Sequence, residues 1–151
     1  MRVDTKAYGP LEVDARQRIK FPQGLYGFEE LSDYVLLDAR QKPFYWLQSL
    51  TAKETAFVLI DPLIVRSDYK VDVDSRDYET LKLTGPEDKR FLQFVIVTIP
   101  TDGRAMTANL QGPLIVNKEI REGLQCISRC NEWHVQHDIV EEMQSNENRA
   151  C

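Results

Sequence analysis

The stretch Phe91 to Ile99, FLQFVIVTI, is apolar on both of its alternate sets. Successive side chains of an extended strand point to opposite faces, so both faces of this one must be covered. It is expected to be the central strand of a sheet. The runs around it are shorter and are separated by Gly and Pro. Val3, Thr5 and Ala7, then Leu11 and Val13, read as a hairpin turning at Gly9 and Pro10. Ile19 and Phe21 lead into FPQGLYGFEEL, where two Gly and one Pro within a few residues force a structured loop. Tyr34 to Leu37, Phe44 to Leu50 and Ala56 to Ile60 read as three further strands, the last stopped by Asp61 and Pro62. Strands at this spacing without long helices between them give an antiparallel meander or barrel.

One short peripheral helix is expected over SRDYETLKL, capped by Asp74 or Ser75 and ended by Gly85 and Pro86. Beyond Gly123, Trp133, Val140 and Met143 lie at helical spacing, and SNENRAC is a polar end expected to fray. Trp46, Phe57 and Phe94 are assigned to the core, because an aromatic is more often packing than recognition.

A chain of 151 residues suits one domain with a single core. Its net charge of −5 argues against a nucleic-acid backbone as main partner, since that binding relies on Lys and Arg, and leaves room for a basic protein. No apolar run approaches the roughly 20 residues that cross a bilayer, and MRVDTKAYGP lacks a signal peptide's apolar core. Cys126, Cys130 and Cys151 are an odd set, a poor disulfide framework that fits a reducing compartment. The expected location is the cytoplasm.

Catalytic chemistry finds little support. Cys126, Cys130, His134 and His137 form a C-x3-C-x3-H-x2-H array. On one straight helix the first and last would lie about 16 Å apart, too far for a single tetrahedral ion. The array reads as buried thiols and half-exposed imidazoles, with no metal or cofactor expected. No G-x-S-x-G, phosphate loop or HExxH occurs. DYKVDVDSRDYE (68–79) has five acidic against two basic side chains. It reads either as a solvated loop and helix start or as a negative patch for a basic partner.

In MTANLQGPLIVN (106–117), Thr107, Asn109 and Gln111 alternate with Ala108 and Leu110, and Pro113 breaks the segment into two short strands. A row of uncharged hydrogen-bonding side chains on an edge strand either satisfies nearby loops or offers a template for β-augmentation by a partner.

The motifs IKFPQGLYGFEE, FYWLQSL, AFVLIDP, FVIVTIP, MTANLQGPLIVN and REGLQ, in this order and spacing, resemble the flagellar assembly factor FliW family. The resemblance covers nearly all of the chain to about residue 127. It implies a mainly β fold, a small antiparallel β-barrel over residues 1–127; residues 128–151 are expected, from their own spacing and polar end, to be a helical or partly disordered tail. It also implies a non-enzymatic regulator that binds flagellin in the cytoplasm and alternatively binds CsrA, a basic repressor of flagellin translation. On this basis Met106, Thr107, Asn109 and Gln111 are expected to face a partner. Asp72, Asp74 and Asp77 are expected to steer the basic regulator or exclude RNA from it. The sequence departs from the family pattern at Gly112, where Ala is usual, and in NEWHVQHDIVEEM after Gln125. Two other classes compete: an OB-like barrel for single-stranded nucleic acid, which needs a basic groove beside aromatic rings, and a small metal-dependent hydrolase using the tail.

Overall fold

The computed structural model describes residues 1–149. Seven strands close into a barrel in the order β7 (Phe91–Thr98), β6 (Ala56–Ile60), β5 (Tyr45–Ser49), β4 (Asp33–Asp38), β3 (Arg18–Lys20), β10 (Glu122–Gln125) and β9 (Leu114–Asn117), which pairs back onto β7. Every pairing is antiparallel except the short parallel contact of β3 with β10.

β7 is covered on both faces, as its composition requires. Leu92, Phe94 and Ile96 face the barrel interior with Phe21, Leu47 and Leu59. Val95 and Val97 face outward into a second core with Val65, Tyr69, Trp133 and Ile139. The outer face of β4 is covered by the hairpin of β1 (Arg2–Thr5) and β2 (Gly9–Glu12), through Val3 and Val13 against Val35 and Leu37. That hairpin turns at Lys6 to Tyr8, ahead of the expected Gly9 and Pro10. The Thr5 hydroxyl accepts from Tyr8 N–H at 2.9 Å and donates to Gly9 O at 2.7 Å, closing the turn earlier.

Asp61 and Pro62 do more than stop β6. Asp61 caps α1 (Pro62–Val65), accepting from Leu63 N–H at 2.9 Å, with Pro62 at the first helical position. Asp74 caps α2 (Ser75–Thr80) in the same way through Arg76 N–H. This helix ends before Gly85, because Lys82 adopts the left-handed conformation, φ +57°.

The tail carries the expected C-terminal helix but begins it later than the spacing suggests. Trp133 lies outside any helix; its ring packs 4.9 Å from that of Tyr69, under the Arg66 guanidinium. The segment then forms β11 (His137–Asp138) and only afterwards α3 (Ile139–Arg149). The polar end, expected to fray, is helical through Arg149 and tied down. Asn146 donates to the Ile64 and Val65 carbonyls at 3.2 and 3.1 Å, satisfying the open end of α1. Glu142 accepts from Arg66 at 3.2 Å and Arg149 at 3.1 Å. Cys151 lies outside the described residues. Among those residues no helix is long and apolar enough to cross a membrane.

Candidate functional site: an uncharged groove at the barrel mouth

The inward row of β7 does not end with the core. After Leu92, Phe94 and Ile96 it continues to exposed Thr98, and the barrel interior opens there into a groove of about 570 Å³. Phe57, Ile96 and Thr98 form its floor, and Phe57 packs edge-on against Phe28 with ring centroids 5.0 Å apart. One wall is Tyr26 with Gln125; the other is Asn109, Gln111 and Gly112; Ile127, Val135 and Gln136 complete the rim. Tyr26, Ile127 and Val135 are 60%, 57% and 56% exposed, a concentration of apolar surface that single scattered residues would not make. Among the described residues no charged side chain lines the groove, although 28% of the chain is charged.

Buried Gln125 fastens the two walls. Its Oε1 accepts from Tyr26 N–H at 2.9 Å, and its Nε2 donates to Gly112 O at 3.2 Å. Asn109 shapes the far wall: its Oδ1 accepts from the backbone of Gln111 at 3.1 Å and Gly112 at 2.9 Å, an Asx turn that redirects the chain into Pro113. A Cβ on Gly112 would lie 3.0 Å from both Asn109 Nδ2 and Gln125 Nε2, so Ala here requires those amides to give way. The Gln111 side chain has no hydrogen-bond partner among the described residues.

The structure divides the residues singled out from MTANLQGP. Asn109 and Gln111 come together at the groove. Thr107 lies in β8 (Thr107–Ala108), opposite Thr98 and Asp138. Met106 falls on the opposite face of the sheet with Ala108, packed against the outer core. β8 is not a free edge: β7 pairs with one side and β11 with the other. The chain's own residues 137–138 take the place a partner strand was expected to fill. The three aromatics assigned to the core all pack against it, to different depths. Phe94 is buried, while Phe57 and Trp46 are partly buried, the first on the groove floor and the second on the outer face of the barrel.

The acidic residues are engaged within the chain. Asp72 accepts from Arg129 Nη2 at 2.8 Å and Nε at 3.1 Å. Asp74 caps α2 and pairs with Arg76 at 3.4 Å. Asp77 sits in the first turn of α2, beside Cys126; burial, and behind it this carboxylate, push the Cys126 thiol up. The tail array is dispersed by the absence of a helix. Cys126 is buried, while His137 accepts from His134 N–H at 2.9 Å and binds Glu142 at 2.7 Å. Among the described residues no three His, Cys, Asp or Glu side chains gather as a metal site. Among the described residues the aromatic groove carries no Lys or Arg, and cationic Arg18, Lys20 and Arg121 line a different pocket together with Asp33.

Comparison with known proteins sets this geometry in a family. The family model "FliW protein" matches residues 2–139. The chain belongs to the FliW family. Flagellar assembly factors FliW of Treponema pallidum and Treponema denticola are 46% and 42% identical to it, covering 95% of this chain and 94% and 96% of theirs. That of Leptospira biflexa is 41% identical over 94% of this chain and 93% of its own. A crystal structure of the flagellar assembly factor FliW superposes with a TM-score of 0.81 at 33% identity, covering 92% of this chain and 96% of that one. The mainly β barrel is therefore a FliW fold. Tyr26, Gln125 and Val135 were not singled out from the sequence as site residues. Tyr26 and Gln125 lie within motifs that identify FliW, which is the one signal that points to them.

Proposed function

We propose that this FliW-family chain is a non-enzymatic, cytoplasmic assembly factor that binds flagellin and, in alternation, CsrA. What supports this reading, beyond the family, is the groove, whose floor is apolar, whose rim is amide-rich and whose lining is uncharged. Such a surface suits a protein segment, which offers apolar side chains together with backbone donors and acceptors. A single-stranded nucleic acid would want cations beside the rings.

Alternation can be stated as linkage. If flagellin lowers affinity for CsrA by some factor, CsrA lowers affinity for flagellin by the same factor. A coupling of about 3 kcal/mol changes affinity more than a hundredfold, enough for export of flagellin to release the factor. Asp72, Asp74 and Asp77 are assigned to steering the basic regulator, each Arg partner reducing the field it contributes.

Calorimetric titration with the host's flagellin, with CsrA, and with CsrA after flagellin saturation tests the switch. The expected result is binding to both, with CsrA binding weakened or abolished by flagellin. Binding to flagellin alone reduces the role to a dedicated chaperone; binding to neither overturns it.

A further inference from the structure

The alternation that turns Thr98 into the groove turns Ile99 to the outer face of the barrel, where Trp46, Val58 and Met106 also lie. The N-terminal hairpin covers one part of this face, and α1, Trp133 and Ile139 cover another. Between the two covers is a pocket of about 280 Å³ lined by Trp46, Val58, Ile99, Met106, Phe44 and Ala39, with Gln41 as its one polar side chain. It lies across the sheet from the groove.

The pocket has a fixed frame. The Tyr8 hydroxyl accepts from Trp46 Nε1 at 3.1 Å and from Arg40 N–H at 2.9 Å, so the hairpin sets the indole and the start of the loop that overhangs it. Gln41 O accepts from Phe44 N–H at 3.1 Å and folds that loop back. The same loop carries two exposed cations, Arg40 and Lys42. Arg40 rests on the Tyr8 ring at 4.5 Å, and neither cation has a carboxylate partner among the described residues. Asp38, the nearest acidic residue in the chain, belongs to the opposite face of β4, in register with inward-facing Tyr45. In the other loop that lines the pocket, between Ile99 and Met106, Asp102 is paired with Arg104 at 2.8 Å, so the unpaired charges of the two loops are the cations Arg40 and Lys42, on a chain whose net charge is −5.

We propose that this pocket is a second docking site, for a protein segment that inserts one large apolar side chain and sets carboxylates beside it against Arg40 and Lys42. The volume suits one large anchoring side chain, and Gln41 is the one polar side chain of the lining that could orient a ligand. Two cations are too few for a nucleic-acid strand, whose affinity scales with the phosphates neutralised. The assignment does not depend on what occupies the groove.

The chain's three methionines, Met1, Met106 and Met143, allow a direct test by methyl NMR of the whole protein, because only Met106 lines this pocket. The probe is the blocked peptide Glu-Glu-Leu-Glu-Glu. It is expected to shift the Met106 methyl saturably while Met1 and Met143 stay in place. Peptides with Lys in place of Glu, or Ala in place of Leu, should bind about tenfold more weakly or not at all. Ile99→Asp, at a position 55% exposed, should abolish the shift without changing the melting temperature. No Met106 shift at millimolar peptide, or equal binding of the Lys peptide, overturns the proposal. So does a Met106 shift produced by a thymidine octamer, or one produced by raising the protein concentration alone, which would give the pocket to a nucleic acid or to a second copy.

Discussion

Gln111 and Gln125 are both glutamines on one groove, yet their side chains are used oppositely. Gln125 joins Tyr26 to Gly112 by two hydrogen bonds. Its replacement by Ala leaves a part-buried N–H and a buried carbonyl without partners, and should cost about 1–3 kcal/mol in urea unfolding. Gln111 bonds nothing through its side chain among the described residues. Gln111→Ala should therefore keep stability within about 0.5 kcal/mol while weakening flagellin binding. Equal stability losses for the two variants would refute this division. Nearby, a Cβ on Gly123 would fall 2.5 Å from Cε1 of Phe21, a ring buried in the barrel. Gly123→Ala should lower stability by about 1–3 kcal/mol through overpacking, read as a lower urea midpoint. Alternation in the sequence is enough to pick out Asn109 and Gln111. It says nothing of Gln125, whose partners are 99 and 13 residues away.

At the scale of elements, the strands and the C-terminal helix were legible, and the segment that leads into that helix was not. Each barrel strand carries its inward set on alternate residues, so β4, β5, β6 and β7 could be placed to within a residue or two. Trp133, Val140 and Met143 fit a helical period, but Trp133 is held by Tyr69 and Arg66, contacts that no local spacing encodes. Likewise the edge of β8 reads as open until residues 137–138 return to cover it. The cover is held partly by ionisation. Burial raises the Glu142 carboxyl, but hydrogen bonds from His137, Arg66 and Arg149, together with the Arg66 charge, outweigh it and hold it below the usual glutamate value. A carboxyl depressed by folding contributes stability above its unfolded pKa of about 4.3 and loses that contribution as pH falls through the lower folded value. Amide protection in α3 is therefore expected to drop below about pH 4 while β6 stays protected. Protection in α3 that is unchanged down to about pH 3 would contradict this role for Glu142.

For the molecule as a whole, closing the barrel gathers the groove from segments far apart in sequence: Tyr26, Phe57, the β7 floor, the 109–112 turn, Gln125 and the 127–136 stretch. That is why the sequence exposed one wall and missed the other. It also explains how a chain rich in charge presents an uncharged mouth, since the strand residues that reach it, Phe57, Ile96, Thr98 and Gln125, are apolar or uncharged. The most direct test places a charge there. Calorimetric titration of the host's flagellin into the wild-type chain and into Gln111→Arg should show affinity lower by about tenfold or more in the variant, with its melting temperature preserved. Undiminished affinity in a stably folded Gln111→Arg chain would mean that flagellin does not dock in the groove.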